Sequence, residues 1–154
     1  MVFGEVNTMY EELKDRIKQH EGFKLEPYQL SYRTKDGKKV KEDFLTGGYG
    51  HKLSKDEEIP TTKEGWDLLF EKDFEQALNQ ATHFIDKNKI KFEAFTIVIE
   101  MAYQMGSSLQ KFKKMQKALE ENNYVKASDQ MMDSKWANQT PRRASWLSLL
   151  MRDL

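Results

Sequence analysis

Cysteine is absent from the 154-residue chain, so disulfide bonds and thiolate chemistry are excluded. The three histidines do not stand at metal-ligand spacing, and no metal site is expected. Nucleotide, dinucleotide, serine-hydrolase and zinc-protease motifs are also missing, so no cofactor is expected. Long hydrophobic runs are lacking too. The densest run, Phe92–Met105, contains Glu93 and Glu100, and we expect no stable membrane insertion.

An excess of charge of either sign is also lacking. The 25 basic and 25 acidic residues cancel, which gives no argument for nucleic acid as a partner. The segment "MVFGEVNTMY" has no basic region followed by an apolar one, so we expect no signal peptide and synthesis in the cytoplasm. With 38% apolar residues, the chain can form one globular domain over residues 1–154.

Helix signals recur along the chain. The pattern T-x-x-E at positions 8–11 and 61–64 is typical of capping boxes, and it predicts helices over about 8–20 and 62–85. Between these helices, two β-rich segments flank an Asp-Gly pair, which predicts a hairpin. The following "TGGYGH" is glycine-rich and favours a tight corner over a regular strand.

The second half is predicted to be helical. Phe92–Met105 is apolar nearly all round, as expected of a buried helix, and Gly106 would end it. Several short helices follow, the last opened by Thr140 as cap and Pro141 at the first helical position.

The resulting architecture is α+β. A small lobe over about 20–60 carries the extended hairpin, and a long helix over about 62–85 connects it to a larger all-helical lobe over about 86–154. The helix over 8–20 is expected to pack on the larger lobe.

At three positions, polar side chains stand where they could take part in catalysis or in ion pairs. Glu21 stands at a helix end, where the macrodipole disfavours an anion; it is either a solvated carboxylate or a general acid. Thr46 begins the glycine-rich corner, which is either a simple bend or a place where a hydroxyl holds water. Arg142 and Arg143 oppose the dipole of the last helix; they are either a solvated pair or have an acidic partner.

Four segments together resemble a known family. They are "IKQHEGFKLEPY", "TGGYGHKL", "MAYQMG" and "KWANQTPRRA", in the order found in phage T4-type lysozymes, the glycoside hydrolase family 24 endolysins. The resemblance implies a two-lobed α+β fold. It also implies a muramidase that hydrolyses the β-1,4 bond between N-acetylmuramic acid and N-acetylglucosamine of peptidoglycan.

The resemblance also implies roles for individual residues. Glu21 falls on the general acid and Thr46 on the threonine that positions the attacking water. His51 falls on a histidine that pairs with an aspartate, here Asp73, and Arg143 falls on an arginine that closes over the acid. Three further residues fall at or near substrate-binding positions: Tyr103, Gln104 and Gln130.

One departure concerns the second carboxylate. The family usually has an aspartate two residues after Tyr28, where this chain has Leu30, and the hairpin here is longer. If the extension is symmetric, Tyr28 stays opposite Thr46 and Leu30 lies opposite Phe44.

Two acids could substitute for the missing aspartate. Asp43 is close to Thr46 but needs a bulge to rotate it onto the same face, whereas Glu42 is on that face but one residue pair farther out. We expect such a bulge and therefore favour Asp43 as the base, with Glu42 as the substitute.

Three functions therefore stay open. The leading hypothesis is a monomeric phage endolysin that binds peptidoglycan glycan strands and reaches the periplasmic wall through a holin lesion, lysing the host. The second is a single-acid lytic transglycosylase. The third is a non-catalytic peptidoglycan-binding homologue.

Overall fold

The computed structural model describes residues 3–154, which form seven α-helices and a three-stranded antiparallel sheet. The α+β class is confirmed. The elements, in chain order, are α1 (Phe3–Glu21), β1 (Lys24–Arg33), β2 (Lys39–Gly48), β3 (His51–Lys52), α2 (Lys63–Phe84), α3 (Phe92–Met105), α4 (Lys113–Glu120), α5 (Tyr124–Met132), α6 (Lys135–Gln139) and α7 (Pro141–Arg152). Across residues 3–154, no helix has both the length and the apolar character that crossing a membrane requires.

The contacts divide the chain into two compact units. The sheet unit is Lys14–Asp73, and the helical unit combines the chain up to Leu13 with Phe74–Leu154. The residues of α1 and α2 are shared between the two units.

The starts of α1 and α2 differ from the predicted capping boxes. α1 already includes Phe3, and the Thr8 hydroxyl donates to the carbonyl of Gly4 (2.9 Å) within the helix, so Thr8 is not its cap. At α2 the capping hydroxyl belongs to Thr62, which accepts from the N–H of Gly65 (3.2 Å).

The predicted hairpin is present, but its register is not the symmetric one. Tyr28 pairs with Thr46 as expected, and Gln29 pairs with Leu45, yet the next pair is Ser31 with Lys41. β2 therefore carries two extra residues, and the predicted pairing of Leu30 with Phe44 is replaced by a bulge over residues 42–44.

The glycine-rich segment was predicted to be a corner and is partly strand. β2 continues through Gly48, and the turn at Tyr49–Gly50 leads into β3. Thr46 pairs with Lys52 and Gly47 with His51, so backbone hydrogen bonding to β3 overrides the low strand preference of glycine.

The helical unit is built around α3. Its residues from Ala94 to Ala102 are all buried, and Gly106 ends the helix with its N–H bonded to the Ala102 carbonyl, as predicted. α7 begins at Pro141, also as predicted. Thr140 does not cap it through its side chain, because its hydroxyl donates to the Trp136 carbonyl (2.9 Å).

Candidate active site

Glu21 is the last residue of α1, and its carboxylate lies against the corner between β2 and β3. A Cβ atom at Gly50 would stand 2.9 Å from Glu21 Oε2 and 3.2 Å from its carboxyl carbon. Gly50 also has φ +77, a conformation that other residues rarely adopt. The glycine thus leaves room for the half-buried carboxylate at this corner.

Thr46 places a hydroxyl in the interior of the sheet unit. It is 3% exposed, and its backbone is held between Tyr28 and Lys52 on the neighbouring strands. Within residues 3–154 its Oγ1 atom is buried and makes no hydrogen bond. Since a buried hydroxyl without a partner is costly, this atom is suited to hold a water or a substrate group.

Trp66 of α2 supports the strand that carries Thr46. A Cβ atom at Gly47 or Gly48 would lie 2.5 Å from the indole ring, so neither position accommodates a side chain. The ring is 1% exposed and its Nε1–H donates to the Leu25 carbonyl (2.8 Å). The glycine pair is therefore a packing requirement as well as a turn signal.

His51 lies between two carboxylates. Its Nδ1 is 2.6 Å from Asp73, the partner implied by the resemblance, and its Nε2 is 2.7 Å from Glu57. The hydrogen bond to Asp73 raises the pKa of His51 above its ordinary value against the lowering effect of burial, and Glu57 adds to the rise. Both carboxylates thus stabilise the protonated ring, which can donate from both nitrogens.

Glu57 was not singled out by the sequence. Its other carboxylate oxygen accepts from the N–H (2.9 Å) and the hydroxyl (3.1 Å) of Ser54. Burial opposes ionisation, but the hydrogen bonds from Ser54 and His51 outweigh it and lower the pKa of Glu57. The spacing S-x-x-E just after the strand was the available signal, since it is a capping-box pattern that here closes a turn.

The bulge in β2 shifts the two candidate bases, Glu42 and Asp43, along the strand direction relative to the residues of β1. In a regular register Glu42 would face Tyr32, but Tyr32 instead pairs with Val40. The stretch 42–44 therefore lies level with Leu30, the position where an aspartate was expected. The bulge brings Glu42 closer to Thr46 than the sequence register predicted.

The bulge does not exchange the faces of the two acids. It contains two extra residues, so the alternation of side chains is preserved. Burial follows this alternation: Glu42 and Phe44 are half-buried on the face of Thr46, whereas Asp43 is exposed. One carboxylate oxygen of Glu42 is buried and, within the described part of the chain, makes no hydrogen bond. Asp43 is thus not rotated onto the face of Thr46. The exposure of Asp43 and the buried oxygen of Glu42 both favour Glu42 as the candidate base.

The remaining predicted residues lie in the helical unit. Arg143 donates from Nε to Glu100 (2.9 Å), a carboxylate with 0% exposure, so this arginine has an acidic partner. Gln104 accepts from the Trp136 indole (2.8 Å), and both Tyr103 and Gln130 are half-buried. The roles proposed for Tyr103, Gln104, Gln130 and Arg143 at a substrate stay predictions.

Glu100 is a second residue that the sequence did not assign. The sequence feature that could have identified it is a charged residue within the apolar run of α3, which by itself argues only against a membrane span. A buried carboxylate needs a cation or hydrogen-bond donors, and Arg143 provides both.

The described side chains also include no cluster of three or more His, Asp or Glu residues that could hold a metal.

Comparison with known proteins identifies the family of this chain. The sequence pattern of the family described as Phage lysozyme matches residues 18–152. Two similar relatives come from Dictyostelium discoideum: "Probable T4-type lysozyme 2" and "Probable T4-type lysozyme 1" are each 32% identical, with 89% of this chain and 91% of the relative covered. The matched range includes Glu21, Thr46, His51 and Asp73, and it covers nearly all of the chain. The chain therefore belongs to the phage lysozyme family.

Proposed function

We propose that this protein is a muramidase that hydrolyses the β-1,4 bond between N-acetylmuramic acid and N-acetylglucosamine, with Glu21 as the general acid. The observation that carries the proposal is the carboxylate of Glu21 held against Gly50, in the same unit as the buried hydroxyl of Thr46. Hydrolysis of a glycoside needs an acid to protonate the leaving oxygen and a second group to activate water. Family membership supports this reaction class.

The second group proposed here is Glu42, not Asp43. Glu42 shares the face of Thr46 and lies level with Leu30, where the family usually has its aspartate. In this scheme the Thr46 hydroxyl positions the water and the Glu42 carboxylate takes its proton, while Glu21 protonates the leaving sugar.

The test is Glu21→Gln, assayed by the release of soluble fragments from purified peptidoglycan. Loss of a general acid lowers kcat by about 10²- to 10⁴-fold, whereas the unfolding temperature should stay close to that of the wild type. Glu26→Gln, at an exposed carboxylate of β1, is the matched control and should retain full activity. A fully active Glu21→Gln would refute the proposal.

A second candidate is a lytic transglycosylase, which the presence of Leu30 at the aspartate position favours. Without a base for water, the muramyl 6-hydroxyl could attack instead. Mass spectrometry of the products distinguishes the two: reducing-end fragments support hydrolysis, and anhydro-muropeptides support the transglycosylase. If the wild type releases neither, a peptidoglycan-binding role replaces both.

We also propose that the enzyme acts in phage lysis of a bacterial host, accumulating in the cytoplasm until a holin lesion gives access to the wall. Family membership is what supports this setting. Expression in a Gram-negative cell should cause lysis only after the inner membrane is permeabilised. Lysis at the same rate without permeabilisation would contradict the proposed release route.

A further inference from the structure

The extended hairpin has a row of apolar side chains that the catalytic scheme does not use. Because the bulge adds two residues, even-numbered side chains stay on one face along both strands. We call the apolar members of this set the aromatic face: Tyr28, Leu30, Tyr32, Val40 and Phe44.

The aromatic face is accessible on β1. Tyr28, Leu30 and Tyr32 occupy alternate positions and are 37%, 38% and 53% exposed, while Val40 and Phe44 are half-buried beside them. Single exposed apolar residues are common, but a contiguous row indicates a surface that binds something.

The opposite face of the hairpin has a different character. Beyond the Tyr28–Thr46 pair, toward the turn, its side chains are polar or charged except for Leu45: Gln29, Ser31, Arg33, Lys39, Lys41 and Asp43. The aromatic face, which has few charges, suits an uncharged partner with both apolar and hydroxyl-bearing surfaces.

The aromatic face is continuous with the candidate active site. Tyr28 is paired with Thr46, and Glu42 lies on the same face as both. From Tyr28 to Tyr32 the strand extends by roughly 13 Å, which is longer than one sugar ring. A polymer whose scissile bond lies near Thr46 would have its next sugars along this row.

We propose that the aromatic face binds the glycan strand of peptidoglycan beyond the bond that is cleaved, and that Tyr32 sets the preference for long polymers. This rests on the proposed muramidase function and adds a binding segment that the longer hairpin of this chain provides. Tyrosine rings present a flat apolar surface with a hydrogen-bonding hydroxyl, which matches the alternating apolar and polar surfaces of a sugar.

The test compares Tyr32→Ala with Tyr32→Phe and with the control Lys41→Ala on the opposite face. Each full-length variant is assayed on insoluble peptidoglycan and on a soluble fragment of two disaccharide repeats. We expect Tyr32→Ala to raise KM on the polymer by about three- to tenfold with kcat unchanged. Tyr32→Ala should leave KM and kcat on the short fragment unchanged. Tyr32→Phe and Lys41→Ala should stay within about twofold of the wild type on both substrates, because Phe keeps the ring and Lys41 lies on the opposite face.

Several results would overturn the inference. An unchanged KM on the polymer, or an equal loss on the short fragment, would show that Tyr32 binds no distant sugars. If the protein sediments as a dimer and Tyr32→Ala makes it monomeric, the aromatic face binds a second copy of the chain. If the wild type binds vesicles of phosphatidylethanolamine and phosphatidylglycerol and Tyr32→Ala does not, the aromatic face binds lipid.

Failure of the inference is separable from failure of the proposed function. If the wild type cleaves both substrates but Tyr32→Ala behaves identically, the function stands and the inference falls. If the wild type cleaves nothing, co-sedimentation with insoluble peptidoglycan still reports binding. If Tyr32→Ala weakens this binding, glycan binding by the aromatic face is supported, while the proposed muramidase function is refuted.

Discussion

Exchange of single carboxylates in the bulge gives the sharpest test of the catalytic geometry. Glu42→Gln and Asp43→Asn each remove one charge without changing side-chain size, at adjacent residues on opposite faces. In the regular register Glu42 would be four residue steps from the level of Thr46, roughly 13 Å at 3.3 Å per step. The observed pairs place residues 42–44 between the levels of Gln29 and Ser31, which reduces this separation for Glu42 to roughly 8 Å.

The expected effects on rate follow from this difference. A general base contributes about 10²- to 10⁴-fold, which corresponds to about 3–5 kcal/mol of activation free energy. We therefore expect Glu42→Gln to lower kcat at least about 100-fold. Asp43→Asn should stay within about twofold, because its exposed carboxylate contacts solvent.

The assay is dye release from labelled peptidoglycan, with the unfolding temperature of each variant as a control for folding. Asp43 is exposed, so Asp43→Asn should change stability by less than about 0.5 kcal/mol. Glu42→Gln replaces a partly buried charge by a neutral amide and should not lower the unfolding temperature. A larger rate loss for Asp43→Asn than for Glu42→Gln would refute the assignment. If both variants keep full activity, no second carboxylate acts, and the single-acid mechanism becomes the better explanation.

Three further predictions concern stability and can be checked by thermal or denaturant unfolding. Because the pKa of His51 is raised in the fold, its contribution is complete below about pH 6.5 and is lost as pH rises through the folded pKa. Asp73→Asn should therefore cost more at pH 6, about 2 kcal/mol, than at pH 9, and a loss independent of pH would contradict this. Gly48→Ala, with φ +58 and a Cβ position 2.5 Å from the indole, should cost about 3 kcal/mol, whereas Gly4→Ala, in open space within α1, should be neutral or stabilising. Glu100→Ala should cost about 3 kcal/mol because it leaves a nearly buried arginine without its carboxylate, and an unchanged midpoint would refute that pairing.

The sequence predicted the elements that depend on local chemistry. Helical periodicity indicated α2 and α3, Gly106 ended α3, and the Asp-Gly pair placed the hairpin turn. Glu21 and Thr46 stand in the short segments "IKQHEGFKLEPY" and "TGGYGHKL", and the resemblance to the family rests partly on these segments. Their catalytic roles stay predictions until the variants are measured.

The hydrogen bonds of the capping threonines were predicted less well than the helices, because a threonine hydroxyl has more than one hydrogen-bonding option. Thr8 donates backward to a carbonyl within α1, and Thr140 does the same toward Trp136. Both arrangements are compatible with the T-x-x-E and Thr-Pro patterns, so the pattern alone does not determine which option the hydroxyl takes.

The sequence by itself determined the fold class, the hairpin and the absence of an aspartate at Leu30, since these follow from residue type and spacing. The tertiary structure decided which acid lies level with that position: a bulge of two residues moves Glu42 level with Leu30, whereas Asp43 is exposed. It also decided that Glu100 pairs with Arg143 and that Glu57 pairs with His51. The physical reason is that strand register and buried ion pairs depend on cross-chain hydrogen bonds and packing, which no local pattern in the sequence records.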